Sequence, residues 1–116
     1  MKFATCFSAV VLLPVIAWGH AFLDHADPRV GSEVSTAPTE VRIWFTQEIE
    51  PAFSVIQVFD SNGHEVDARD SHQDAKDKTL LIVSVPHLEP GVYRVAWRVV
   101  SVDTHHTQGD FKFSLK

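Results

Sequence analysis

From Val41 onward, short apolar runs alternate with polar turns, and the runs have the two-residue period of strands. Val41-Arg42-Ile43-Trp44-Phe45 carries β-branched and aromatic residues in loose alternation. The stretch 53–59 (FSVIQVF) follows and runs into Asp60-Ser61-Asn62-Gly63, a turn signal that predicts a hairpin into His64-Glu65-Val66. Residues 67–78 (DARDSHQDAKDK) are almost free of large apolar side chains and predict a solvated loop. A strand over 79–85 (TLLIVSV) is ended by Pro86, and Leu88-Glu89-Pro90-Gly91 turns the chain into 92–100 (VYRVAWRVV). There Tyr93, Val95, Trp97 and Val99 alternate with Val92, Arg94, Ala96 and Arg98, so one face is expected to be buried. Phe111, Phe113 and Leu115 form the inward face of a last strand. No segment sustains a 3.6-residue period, and the pattern predicts an all-β fold, an antiparallel β-sandwich or barrel.

The apolar pattern before residue 20 is of another kind. Lys2 gives a short positive start, and Val10 through Ala17 form an apolar core interrupted by Pro14. Ala17 and Gly19 put small residues at positions −3 and −1 of a signal-peptidase site. The stretch is too short and broken for a bilayer span, which takes roughly 20 apolar residues. Cys6 lies upstream of the apolar core, not at the cut, which argues against a lipoprotein signal. The expected organisation is a cleaved signal over 1–19 and one domain over 20–116, exported to the periplasm.

Cleavage changes the available chemistry. The only cysteine, Cys6, and the only methionine, Met1, leave with the signal, so no disulfide and no sulfur ligand remain. Loss of Lys2 takes the formal charge from −5 to −6, a poor match to nucleic acid or anionic lipid. All seven histidines stay: His20, His25, His64, His72, His87, His105 and His106. His20 becomes the mature N-terminus, where the α-amine and the ring Nδ1 form a chelating pair. Asp103-Thr104-His105 lies in a polar stretch between two apolar strands. In an extended chain Asp103 and His105 would share a side and His106 would face the other. With His20 they offer three nitrogens and one oxygen, a set suited to tetragonal Cu(II) and tolerated by tetrahedral zinc. Spacing alone leaves an ordinary solvated Asp-x-His pair as the alternative.

The remaining polar residues are weaker candidates. His64, His72 and His87 read as surface histidines, His25 lies too far from the new terminus to chelate with His20, and His106 is a lesser substitute for His105. Glu48 and Glu50 read as an acidic strand end, or at most as outer support for a metal site. No Gly-x-Ser-x-Gly turn and no phosphate-cradling glycine loop is present, and no small-molecule substrate is expected.

With these pieces assembled, the chain resembles the CopC family of periplasmic copper-binding proteins. The resemblance is carried by His20-Ala21-Phe22-Leu23, Ala26-Asp27-Pro28, Gly31-Ser32, Pro38 with Val41 and Trp44-Phe45. It continues through Leu88-x-Pro90-Gly91-x-Tyr93-x-Val95-x-Trp97-Arg98-Val99-Val100-Ser101, Ser101-x-Asp103-x-His105 and Gly109-x-Phe111-x-Phe113. It implies a Greek-key, immunoglobulin-like sandwich or barrel of seven to nine strands, with one Cu(II) ion at one end. The family's metal ligands map onto His20, Asp103 and His105. Its usual glycine between the last two is Thr104 here, and a threonine resists positive φ, so the loop is expected to differ there. The resemblance implies no enzyme but a monomeric copper carrier or buffer, in copper resistance or homeostasis, with an inner-membrane copper importer as a partner. A copper-dependent oxidative enzyme with a histidine brace and a metal-free interaction module are the two competing readings.

Overall fold

The computed structural model describes residues 21–116. Eight strands are formed among them: β1 (Leu23–Asp27), β2 (Glu33–Val34), β3 (Glu40–Phe45), β4 (Val55–Phe59), β5 (His72–Gln73), β6 (Leu80–Ser84), β7 (Gly91–Val100) and β8 (His106–Leu115). They make two four-stranded sheets, ordered β1-β3-β6-β5 and β2-β8-β7-β4. The chain changes sheet at each step from β1 to β5, giving a Greek-key sandwich. Pairing is antiparallel except between β2 and β8, which run parallel. The fold is the all-β sandwich expected from the apolar pattern.

Alternation does what it predicts in β7. Tyr93, Val95, Trp97 and Val99 are buried, while Val92, Arg94 and Arg98 stay exposed. The buried side of β3 (Val41, Ile43, Phe45) and that of β8 (Phe111, Phe113, Leu115) complete the core between the sheets. Phe45 meets Trp97 edge-on, with ring centroids 5.2 Å apart. Trp97 is also the reason residue 109 is glycine, since a Cβ there would lie 2.6 Å from the indole Cζ2. Any side chain at that position must displace a core aromatic ring.

Two expectations change. The Asp60–Gly63 turn forms, with the Asp60 N–H donating to the His64 carbonyl at 2.9 Å, but the return is a single bridge between Phe59 and Glu65 and not a strand. Beyond it, side chains take over from backbone. Asp67 accepts the Val58 N–H at 2.8 Å, and the Ser71 hydroxyl accepts the Ile56 N–H at 3.0 Å. The polar segment 67–78 is therefore a strap, not a free loop. It satisfies the open edge of β4, includes β5, and bonds the edge of β6 through Asp70, whose carboxylate accepts the Ser84 N–H at 2.8 Å. Sheet edges need such cover, because unpaired N–H groups invite pairing with another chain.

Candidate metal centre

The segment carrying Asp103 and His105 is the turn of the longest hairpin, joining β7 to β8 directly beyond the Val100–His106 pair. It is a tight turn, not an extended stretch, and Thr104 takes the left-handed conformation at φ 74°. A β-branched residue there is strained. The loop thus keeps the geometry that glycine favours, contrary to the expectation that threonine would alter it. The Thr104 N–H donates to the Ser101 carbonyl at 2.8 Å, which holds the turn closed.

This turn brings the two side chains together. Nδ1 of His105 lies 3.2 Å from Oδ1 of Asp103, both groups being about half exposed. Ser101, fully buried, donates its hydroxyl to the same carboxylate oxygen. The Ser101 hydroxyl foremost, and to a lesser extent the His105 ring, hold the Asp103 carboxyl below its ordinary value of 3.8 against the opposing effect of burial. An ionised carboxylate beside an imidazole is a ready pair of oxygen and nitrogen donors for a borderline cation.

His20 lies outside the described residues, but the residue after it does not. Ala21 is fully buried, and its carbonyl accepts the Thr107 hydroxyl, two residues from His105. Phe22 is pinned on its other side: its N–H donates to the Thr46 hydroxyl at 3.0 Å, and its carbonyl accepts the Thr46 N–H at 2.8 Å. Among the described residues no group of three or more His, Cys, Asp or Glu side chains comes together to hold a metal. Asp103 and His105 together offer one oxygen and one nitrogen donor. The donor chemistry fits copper.

The other candidates serve elsewhere. His25 stacks on Trp44 at 4.3 Å and bonds Asp24 at 2.7 Å. His64 lies 3.6 Å from Asp60, and His72 bonds the Asp70 carbonyl at 2.9 Å. His87 is exposed, and His106 lines a hollow with Phe53, Arg98 and Gln108. Glu48 and Glu50 support the turn through their backbones. The Glu48 carbonyl accepts the Val102 N–H at 3.2 Å, and the Glu50 N–H donates to the Val100 carbonyl at 2.7 Å. Sequence reasoning missed Ser101, Thr107 and Thr46; only the Ser101-x-Asp103 spacing, typical of short hydroxyl-to-carboxylate contacts in turns, signalled one of them.

The comparisons with known proteins identify the fold and the family. The CopC domain family matches residues 23–116. The chain is 31% identical to copper resistance protein C of Pseudomonas syringae pv. tomato, covering 99% of this chain and 95% of that protein. It is 33% identical to the copper transport protein CutJ of Bacillus subtilis, over 91% of this chain and 20% of that longer protein. The crystal structure of CopC from Methylosinus trichosporium OB3b superposes with a TM-score of 0.79 at 33% identity, covering 84% of this chain and 94% of that one. The fold is that of the CopC β-sandwich. The chain belongs to the CopC family. Its function is therefore copper-related, in a family of copper-binding and resistance proteins and not of enzymes, and the oxidative-enzyme reading falls away.

Proposed function

We propose that the protein is a periplasmic Cu(II) carrier that binds one ion through the His20 amine and imidazole, Asp103 and His105. The reading takes residues 1–19 as a cleaved signal and 20–116 as the mature domain. The convergence of Asp103 and His105 at 3.2 Å on the hairpin turn carries it. The Thr107–Ala21 hydrogen bond beside that turn supports His20 as the third residue of the site. Nitrogen and oxygen donors without sulfur favour Cu(II) over Cu(I). Copper displaces the proton of the α-amine, whose ordinary pKa is about 7.7–8.0, so binding weakens as the pH falls through that range.

A monomer with an ion held at one end can buffer copper or pass it on by ligand exchange. The match to one part of the longer copper transport protein CutJ supports a copper transport protein as the recipient, which this reading takes to be an inner-membrane importer. The test is the Cu(II) spectrum of the correctly processed chain by electron paramagnetic resonance. A single tetragonal, nitrogen-rich signal that survives dialysis, at one ion per chain, is expected. Loss of all copper on dialysis contradicts the reading and favours a metal-free module.

A further inference from the structure

We propose that Ser101 is the positioning residue of this site, holding the Asp103 carboxylate and the His105 backbone in one fixed relation. The inference rests on the copper reading above and assigns a role to a residue outside its ligand set. Ser101 is fully buried, whereas the two donor groups it serves are exposed. Each of its polar groups acts on the turn. The hydroxyl donates to Asp103 Oδ1, the N–H donates to the His105 carbonyl at 3.0 Å, and the carbonyl accepts from Thr104 at 2.8 Å.

The serine is itself immobile. It bridges to Ile49, and the residues on either side of it, Val100 and Val102, bond the backbone of Glu50 and Glu48. The turn is thus clamped to the body of the sandwich at the residue that holds the carboxylate. An exposed aspartate without such a partner samples its rotamers freely. A serine hydroxyl has one proton to give, and donating it to Oδ1, the oxygen that also faces His105, leaves Oδ2 for an ion. A lysine or arginine in its place would fix the carboxylate too, but its charge would repel the cation. A neutral buried donor orients the ligand without that conflict.

The test uses the mature chain with Ser101→Ala, Ser101→Thr, Asp103→Asn and the Ser101→Ala/Asp103→Asn double variant. Ser101→Ala is expected to weaken Cu(II) binding about 10-fold, at the lower end for an outer partner of a metal ligand, and to shift the copper hyperfine splitting. Ser101→Thr restores both. In the Asp103→Asn background Ser101→Ala costs nothing further, because it acts through that carboxylate. Without metal, Ser101→Ala moves the Asp103 side-chain carbon and His105 ring nitrogen resonances in nuclear magnetic resonance spectra. Wild-type affinity and spectrum in Ser101→Ala, or an equal loss in both backgrounds, overturns the proposal. A wild-type chain that binds no Cu(II) overturns the copper reading itself, and so the two failures are distinct. A second measurement needs no Ser101 variant: the Ser101 hydroxyl proton exchanges slowly in the wild type and fast in Asp103→Ala. Fast exchange in both also overturns it.

Discussion

Two polar segments of this protein look alike in sequence and do opposite things with their side chains. The strap over 67–78 and the turn over 101–107 both carry aspartate, histidine, serine or threonine and almost no large apolar residue. In the strap the carboxylates go chiefly to the backbone, with Asp77 also accepting the Thr79 hydroxyl at 2.7 Å. Asp67 accepts from Val58 and Arg69, Asp70 from Ser84, Asp74 from Lys76 and Asp77, and Asp77 from Thr79. In the turn, Asp103 faces two other side chains, Ser101 and His105, at the exposed end of a rigid hairpin. A carboxylate that accepts peptide N–H groups stabilises the fold. One that is aimed by a hydroxyl at an imidazole suits the proposed cation site.

Substitutions that separate fold from binding sharpen this contrast. The largest effect is expected from His105→Ala, which removes a proposed direct donor. Since outer partners alone are worth about 10- to 100-fold in metal affinity, its loss should exceed about 100-fold by competitive Cu(II) titration. Its denaturant midpoint should stay near wild type, because the ring is half exposed. Asp67→Ala should do the reverse. It strands the buried Val58 N–H and costs about 1–3 kcal/mol in urea unfolding, with copper affinity unchanged. A loss of copper affinity in Asp67→Ala would break the separation of the two segments.

Thr104→Gly comes next. Relief of the left-handed threonine should stabilise the fold by about 1 kcal/mol, less the extra entropy that glycine brings to the unfolded chain. The smallest effect is in acid. Hydrogen bonds from Ser84 and Thr79 hold the Asp70 and Asp77 carboxyls below their ordinary 3.8. Groups with depressed folded values stabilise fully above the unfolded value and lose that contribution as pH falls toward the folded one. The thermal midpoint of the metal-free chain should therefore be flat near pH 5 in this respect and decline below 3.8.

The contrast also explains what could be read from the chain. The core strands were legible because burial on one face forces a two-residue period, as Tyr93, Val95, Trp97 and Val99 show. β1 was not, because it is an edge strand with Asp24, His25 and Asp27 exposed, and a strand with little buried face has no alternation to show. The strap read as solvent-exposed because an aspartate that caps a strand edge and one that faces water look the same in sequence. Asp103 and His105 were visible through their spacing and the family resemblance. Thr107 was not, and Ser101 only through its spacing to Asp103, because their value lies in contacts made only when the hairpin closes and Ala21 docks on it.

The proposed Cu(II) site includes a donor that exists only after the proposed cleavage, the free amine of His20. Its most direct test compares Cu(II) affinity and the electron paramagnetic resonance spectrum of the chain beginning at His20 with those of a chain carrying one extra residue before it. The account predicts much weaker binding and a changed, less nitrogen-rich signal in the extended chain. Equal affinity and identical spectra in the two would contradict it.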